Sequence, residues 1–375
     1  MIFTLEALEA KKGDSLLLHY GKETKPQLIV IDGGPAGVYN KTLKPRLMEI
    51  KKQRFPQTAL PIRMVMVSHM DDDHINGILQ MTSQLADLDD KQKALPFDVV
   101  TLWHNSFDDI IDNDADEIAG RLKKAAKAAS TGASFPADMP VKKHTAMVLA
   151  SVNQGRNLRN AADKLGLTVN EKFDNLVMVP SGKRSKTVNL GNSLSFTVIG
   201  PREERVIELQ QEWDKQIRKK GLAKTAEFAD KSVFNLASII VVARCGGKTM
   251  LLTGDARGDD IEAGLKTARI SKRGKAHFDL IKMPHHGSDN NVTTDFFRNI
   301  TADHYVVSGD GKHGNPELAT FQMLSEARGS DRFTLYITNE EPRLKKFFAS
   351  EKRSGKKYTV KFRKASAKSI SVDLL

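Results

Sequence analysis

The chain has 375 residues, of which 40% are hydrophobic, so it can bury a large core and is not an intrinsically disordered protein. Its single cysteine, Cys245, excludes an intramolecular disulfide and a cysteine-rich zinc site. The formal net charge of +12 attracts polyanions and favours a nucleic-acid or phosphodiester partner, although aromatic residues, at 6%, offer few stacking surfaces.

No segment has the pattern of a targeting or membrane-spanning element. The opening residues, Met1 to Glu6, lack a basic region followed by an apolar one, and no run of about 18 apolar residues occurs. Together with the lone cysteine, this pattern predicts a soluble cytoplasmic protein without a membrane partner. The oligomeric state is left open.

Three strands are predicted near the start of the chain, at 3–9, 14–20 and 28–31, because apolar runs there are bounded by turn residues. Asp32 follows the third of these strands directly, in the segment Ile-Asp-Gly-Gly. Taken alone, such an aspartate indicates only a turn. A basic helical pattern then covers 41–54 and leads to the next strand.

A cluster of histidines and aspartates follows the buried strand predicted at 64–67. Residues i, i+2, i+4 and i+5 of a tight loop can face one cavity, and these positions are His69, Asp71, Asp73 and His74. Close carboxylates and imidazoles repel or desolvate one another unless a divalent cation lies among them. The cluster therefore predicts a metal site; the alternative is an acidic turn. A helix predicted at 78–85 would direct its N-terminus towards an anionic substrate.

The next strand is predicted at 97–103, and His104 lies at its end. Three roles are open for His104: a metal ligand, a residue that supports a ligand or touches substrate, and a surface histidine. Residues from about 105 to 175 have helical and loop patterns. We interpret them as an insertion that forms a lid or wall over one side of the site.

In the second half of the chain, strands again end at polar residues. Strands predicted at 235–242 and 249–256 pair across a Gly-Gly turn, and the second ends in Thr-Gly-Asp at Asp255. A further strand leads through Lys282 into Pro-His-His-Gly-Ser, whose polar members are His285, His286 and Ser288. Because adjacent side chains diverge, we expect one histidine on metal or substrate and the other in a supporting hydrogen bond. The sequence leaves open which is which.

A strand predicted at 304–308 precedes a glycine-rich loop that contains His313 and Asn315, and a helix is predicted from Glu317. The segment from 343 to 368 is rich in lysine and arginine, and 358–363 alternates like a strand. Two interpretations of this basic tail are open. It is either a surface for nucleic acid or an edge strand that lysines protect from aggregation.

Five segments, in the same order, resemble the metallo-β-lactamase superfamily and, within it, the nuclease-like domain of the ComEC competence proteins. They are Gly-Asp-Ser at 13–15, Ile-Asp-Gly-Gly at 31–34, the pattern H-x-D-x-D-H at 69–74, Thr-Gly-Asp at 253–255 and Pro-His-His-Gly-Ser at 284–288. Asp71 replaces a histidine of the commoner superfamily pattern, and the ComEC branch shares this departure. Two departures from the relatives are Lys11, in place of a glycine, and Asn315, in place of the histidine of a Y-G-H-P segment.

The resemblance implies an α/β protein with the four-layer αββα sandwich of the metallo-β-lactamase type. Residues 1–375 would form a single domain with the helical insertion and a basic C-terminal segment at about 343–375. Two divalent metal ions, zinc or manganese, are implied, and the oxygen of Asp71 shifts the preference towards manganese. The implied ligands are His69, Asp71, Asp73, His74, Asp255 and His286, with Asp255 shared between the ions.

Further roles follow from the same resemblance. The implied catalytic residues are Asp73, His285, His286 and His313, the last as a proton donor from a shifted position. Residues expected to support the ligands or touch substrate are Asp32, His104, Asn235, Ser238, Lys282, Ser288 and Asn315. Asn235 falls near where other branches carry a third histidine, and either its amide oxygen or a water would take that place.

The implied reaction is hydrolysis by a hydroxide that two metal ions activate and Asp73 orients. The positive charge and the ComEC resemblance favour a phosphodiesterase or nuclease. One alternative is a hydrolase of esters, lactones or amides, which would prefer an apolar acyl pocket. The other alternative is a catalytically inactive binding module, but such proteins usually lose the ligands of the first loop, which are all present here.

Overall fold

The computed structural model describes residues 1–106, 141–208, 210–211 and 237–375, with the side chains of 141–152 outside the description. The start of the predicted insertion, from 107 to 140, and Asn235 lie outside the described residues.

Fifteen strands occur in the described part of the chain. They are β1 (Ile2–Leu8), β2 (Leu16–Lys22), β3 (Lys25–Ile31), β4 (Leu60–Met66), β5 (Phe97–Trp103), β6 (Thr168–Val169), β7 (Thr187–Gly191), β8 (Leu194–Gly200), β9 (Ile240–Cys245), β10 (Lys248–Leu252), β11 (Ala276–Lys282), β12 (Ile300–Val307), β13 (Thr334–Ile337), β14 (Thr359–Phe362) and β15 (Ser369–Asp373).

These strands form two mixed sheets. The first has the order β15-β1-β2-β3-β4-β5-β6, and its strands from β3 to β6 run parallel. The second has the order β14-β13-β12-β11-β10-β9-β8-β7, and its strands from β10 to β14 run parallel. Parallel neighbours end at the same edge, so each sheet gathers the residues that follow its strands along one edge.

Helices cover the outer face of each sheet. In the described part of the chain they include α1 (Lys44–Arg54), α2 (Asp72–Asp90), α3 (Val141–Lys164), α4 (Gly258–Thr267), α5 (Thr294–Asn299), α6 (Leu318–Arg328) and α7 (Pro342–Arg353). One core packs the first sheet against α1 to α3 and includes Ile78. Another packs the second sheet against α4 to α7 and includes Phe321. A third core lies between the sheets and takes side chains from both, such as Leu5 and Leu252. This is the predicted four-layer αββα sandwich, and the fold-class prediction is confirmed.

Several element boundaries differ from the prediction. α2 begins at Asp72 rather than at 78, because the aspartates in its first turn interact favourably with the positive end of the helix. The apolar run at 176–179 favours a strand, but it forms only a single bridge, from Val179 to Arg202. The side chain of Asn105 instead forms two hydrogen bonds with the backbone of Val177. The basic tail contains α7, whose Leu344 and Phe348 are buried, before the predicted strand appears as β14.

The first two turns of α2 touch the turn after β3 backbone to backbone. A Cβ atom on Gly77 would lie 1.9 Å from the carbonyl oxygen of Gly33, and one on Gly33 would lie 2.3 Å from the nitrogen of Ile78. Only glycine at both positions permits this approach. The contact brings α2 close to Asp32 and thereby positions the residues of its first turn.

Within the described residues, no helix is both long enough and apolar enough to cross a membrane.

Candidate metal centre

Five predicted residues come together where the parallel strands of the two sheets end. His69 follows β4, and His74 lies in the first turn of α2. Asp255 follows β10, and the double-histidine loop, Pro284–Gly287, follows β11. Buried ligand atoms of Asp14, His74, Asp255 and His286 all lie within 4.8 Å of one another. This group of histidines and aspartates can hold a metal ion.

Asp255 is at the centre of the group. Its Oδ1 lies 3.3 Å from Nε2 of His74, and its Oδ2 lies 3.6 Å from Nε2 of His69. Oδ2 is also 3.4 Å from Nε2 of His285 and 3.5 Å from Nε2 of His286. Four imidazoles thus face one carboxylate, and both kinds of side chain are common metal ligands.

Two aspartates at the start of α2 border the group. Asp71, the residue before the helix, has Oδ2 at 3.8 Å from Nε2 of His69. Asp73 has Oδ2 at 3.9 Å from Nε2 of His286. Their side chains are 23% and 20% exposed, whereas those of His69, His74 and Asp255 are buried. The aspartates therefore lie on the open side of the group.

Burial and neighbouring charges perturb the pKa values of the histidines strongly. Burial lowers the pKa of His69 to about 3, and the neighbouring His74 contributes to this. Burial also disfavours the charge of His286, but Asp255 and Asp14 outweigh it and raise the pKa of His286 to about 9. Asp255 and Asp32 likewise hold the pKa of His74 well above its usual range. The site strongly attracts positive charge.

Hydrogen bonds fix which nitrogen of each imidazole faces the centre. Nδ1 of His74 donates to Oδ2 of Asp32 at 2.8 Å. The single proton of the Ser308 hydroxyl goes to Asp14, so its oxygen accepts from Nδ1 of His286 at 3.0 Å. When both rings are neutral, as metal binding requires, the lone pair of each is on Nε2, as in most metal-binding histidines with a supporting hydrogen bond.

The residues present fit a divalent cation. The Nε2 atoms of His74 and His286 lie 3.1 Å apart, beside Asp255. Two lone pairs at that distance repel unless a proton or a metal ion lies between them, and nitrogens that share a tetrahedral ion are about 3.4 Å apart. Nε2 of His69 is buried and forms no hydrogen bond with the described residues. Metal ions at this site would satisfy all three nitrogens.

The double-histidine loop has an uncommon backbone. His285 has φ 45° and His286 has φ 53°, so two consecutive non-glycine residues are left-handed. Asn315 Nδ2 donates to the carbonyl oxygen of His285 at 3.2 Å, and His285 N donates to Gly254 O at 3.1 Å. We expected adjacent side chains to diverge, but this conformation directs both rings to Asp255. His285 remains 26% exposed and has Nδ1 at 2.8 Å from Asn291 Oδ1.

Other predicted residues occupy varied positions around the group. Oγ of Ser238 accepts from the backbone nitrogen of Asp255 at 3.2 Å. Ser288 is buried, with Oγ at 3.5 Å from Oε2 of Glu317. His104 is buried at the end of β5, which rules out a surface histidine. His313 is exposed and has no hydrogen bond or ion pair with the rest of the described chain, so its role as proton donor stays a prediction.

Asp14 and Ser308 are among the residues that support the group and that the sequence analysis missed. Asp14 lies 3.5 Å from Nδ1 of His286, and Ser308 lies between them. Asp14 belongs to the Gly-Asp-Ser segment, so the resemblance contained the signal, but the turn appeared ordinary. Ser308 had no signal beyond its position at the end of a strand.

No family model matches the chain, and the comparison with curated proteins found no significant match. Among solved structures, the chain is similar to Zn²⁺-bound PqqB from Methylobacterium extorquens. The TM-score is 0.41 and the sequence identity 12%, over 97% of this chain and 88% of that one. The fold assignment rests on the strand order and the layers described above.

Proposed function

We propose that this chain is a metal-dependent hydrolase of phosphodiesters, with nucleic acid as the favoured substrate. The observation that carries the proposal is the 3.1 Å approach of Nε2 of His74 to Nε2 of His286 beside the buried carboxylate of Asp255. We assign two divalent ions, zinc or manganese, to this site. One would be held by Asp73, His74 and His286, and the other by His69 and Asp71, with Asp255 shared.

When bound, the ions would activate a water molecule and neutralise charge that develops on the phosphate. The chain itself prepares the ligands. Asp32 holds the ring of His74 through Nδ1, and Ser238 holds the backbone of Asp255. These contacts keep the ligand atoms directed at one point, so little reorganisation is needed during the reaction.

We assign proton donation to His285 rather than to His313. His285 is partly exposed, and its Nε2 lies 3.4 Å from Oδ2 of Asp255, next to the site. The Asn291 oxygen accepts from Nδ1 of His285 at 2.8 Å, which fixes the ring while it gives a proton to the leaving oxygen from Nε2. His313 has no such contact.

Three features favour a phosphodiester over a carboxylic ester, lactone or amide. The net charge is +12, the site lies at the positive N-terminus of α2, and the motifs resemble the nuclease-like domain of ComEC proteins. The basic tail also offers exposed cations. Lys346, Lys352, Arg353 and Lys357 are exposed and form no ion pair with other described residues.

The experiment combines metal analysis with a cleavage screen. Purified protein is treated with chelator, reloaded with Mn²⁺ or Zn²⁺, and assayed on single- and double-stranded DNA, RNA, bis(p-nitrophenyl) phosphate and p-nitrophenyl acetate. We expect metal-dependent cleavage of phosphodiesters that His286→Ala abolishes. His277→Ala is the matched control, because His277 is an exposed histidine at the opposite end of β11. Cleavage of the acetate alone, or of nothing, would refute the proposal.

A further inference from the structure

Lys282 is a buried lysine beside the site. It is the last residue of β11 and is only 1% exposed, whereas lysine is almost never fully buried unless it is paired. Its Nζ lies 2.7 Å from Oδ2 of Asp14 and donates to the carbonyl oxygen of Met283 at 3.0 Å. The charge-assisted bond to Asp14 is of the strong kind.

Asp14 connects this lysine to the double-histidine loop. One carboxylate oxygen, Oδ2, accepts from Lys282, and the other, Oδ1, accepts from the Ser308 hydroxyl. The Ser308 oxygen in turn accepts from Nδ1 of His286. A continuous chain of polar contacts therefore runs from the buried cation to one of the assigned ligands.

The same aspartate joins the two sheets. Asp14 precedes β2 of the first sheet, and its backbone nitrogen donates to the carbonyl oxygen of Asp73 at 3.2 Å. Lys282 is the last residue of β11, and Ser308 directly follows β12, so both lie at the edge of the second sheet. A Cβ atom on Gly13 would lie 1.9 Å from the carbonyl oxygen of Asp73, so the turn is packed directly onto the start of α2. The ion pair thus crosses between both halves of the site.

We propose that Lys282 is a positioning residue for the metal site: it anchors the carboxylate of Asp14, which through Ser308 directs Nε2 of His286 at Asp255. The inference deepens the proposed function and rests on it. The competing role for Lys282 is a clamp between the sheets that has no effect on the ligands. If Lys282 positions the ligands, its loss lowers metal affinity even when stability is restored. If Lys282 is only a clamp, its loss lowers stability and leaves metal affinity unchanged.

Three variants separate these roles. Lys282→Met removes the cation and leaves the Asp14 carboxylate buried without its partner. The double variant Lys282→Met/Asp14→Asn removes both charges, so the penalty of an unpaired buried charge disappears. Glu6→Gln is the control, because Glu6 is a buried carboxylate whose partners, His19 and Arg46, lie outside the site.

Dissociation constants for Mn²⁺ and Zn²⁺ are measured by competition with a chromophoric chelator, and melting temperatures are measured on the metal-free proteins. For Lys282→Met we expect a loss of about 10- to 100-fold in affinity, as is typical when a residue behind a ligand is removed. The double variant should melt at a higher temperature than Lys282→Met but should keep the loss in affinity. Glu6→Gln should melt at a lower temperature than the wild type, and its metal affinity should be unchanged to within about twofold.

A metal affinity equal to that of the wild type in Lys282→Met would overturn the inference. Recovery of the wild-type metal affinity in the double variant would also overturn it, since either result would show that the lysine only clamps the two sheets together. If Lys282→Met does not fold, the double variant provides the same comparison. A wild-type protein that binds no divalent metal would instead overturn the proposed function itself, so the two failures are distinguishable.

Discussion

Nε2 of His74 lies 3.1 Å from Nε2 of His286, although the two residues are 212 positions apart in the chain. Each ring is held from behind by an acceptor, Asp32 for His74 and Ser308 for His286. When both rings are neutral, the lone pairs of the two Nε2 atoms therefore face each other between the two sheets. A cation between these two nitrogens would stabilise the fold directly, because the cation would link the first turn of α2 to the double-histidine loop.

The first prediction is that metal stabilises the protein. Chelator-treated protein should bind about two divalent ions per chain and melt at a higher temperature with Mn²⁺ or Zn²⁺, since an ion at 100 times its Kd contributes about 2.7 kcal/mol. Mn²⁺ should activate hydrolysis at least as well as Zn²⁺ because Asp71 supplies oxygen instead of nitrogen. Elemental analysis and calorimetry test this. A melting temperature that metal leaves unchanged would contradict it.

The second prediction concerns Asp255. Asp255→Ala should abolish metal-dependent hydrolysis, because the four imidazoles that face this carboxylate lose their shared acceptor and the ions their shared ligand. The fold should survive, as judged by circular dichroism. Asp279→Ala removes an aspartate that pairs with Lys248 elsewhere on the second sheet and should leave turnover unchanged. Turnover near the wild-type value in Asp255→Ala would show that the shared ligand is misassigned.

The third prediction uses the left-handed backbone of His285. Both His285→Ala and His285→Gly remove the imidazole ring, but only glycine relieves the conformation, so the glycine variant should be more stable by about 1 kcal/mol. Ala263→Gly in α4 is the control and should destabilise by about 1 kcal/mol. Urea unfolding measures both differences. Equal stability of the two His285 variants would indicate that the backbone there is unstrained.

The fourth prediction is a loss of stability in acid. Burial disfavours the charge of Glu6, but hydrogen bonds from His19 and Arg46 outweigh it and lower the pKa of Glu6 from 4.5 to about 2. The contribution of the Glu6 carboxylate to the free energy of unfolding is therefore complete above pH 4.5 and is lost as the pH falls towards 2. The expected loss is about 3 kcal/mol. Urea unfolding from pH 7 to pH 2.5 should show a smaller decline for Glu6→Gln than for wild type, and identical declines would contradict the prediction.

The fifth prediction concerns the basic tail. Neutralising the exposed Lys346, Lys352, Arg353 and Lys357 to glutamine should raise KM for nucleic acid with little change in kcat, because these cations lie away from the chemistry. The log–log salt dependence of binding should also become shallower, by up to about one unit of slope for each cation that pairs with a phosphate in the wild type.

Lys356 and Arg363 serve as structural controls in that experiment. Lys356 donates to the carbonyl oxygen of Ser325, and Arg363 donates to that of Thr338 at 2.7 Å. Their replacement should lower stability and leave the salt slope unchanged. If the variant with all four replacements has the same salt slope as the wild type, the basic tail does not bind nucleic acid and is only a solvated edge of the sheet.

The site was predictable where a strand ends directly at a chemically unusual residue. His69, Asp255 and His286 each follow an apolar run, and parallel pairing brings such ends to one edge. The four layers were accessible only through the resemblance, because alternating apolar runs do not specify which sheet a strand joins. Asp14 was missed because its partner, Lys282, is 268 residues away in the sequence, and no local pattern reports an ion pair between sheets.

The backbone conformation of the site was harder to predict than the identity of its residues. The pair His285 and His286 was recognised, but their left-handed backbone depends on Gly254 and Asn315, which contact them from other elements. Likewise, the position of α2 depends on the packing of its first two turns onto the turn after β3. Tertiary contacts of this kind leave no periodic signal.

The backbone contact between Gly33 and Gly77 limits how this protein can evolve. Neither residue has a side chain to offer a ligand, yet any substituent at either one must push α2 away from the turn after β3. His74, three residues before Gly77, would be carried along and would leave Asp32 and Asp255. A random mutagenesis screen for loss of metal binding should therefore recover positions 33 and 77 as readily as the histidines.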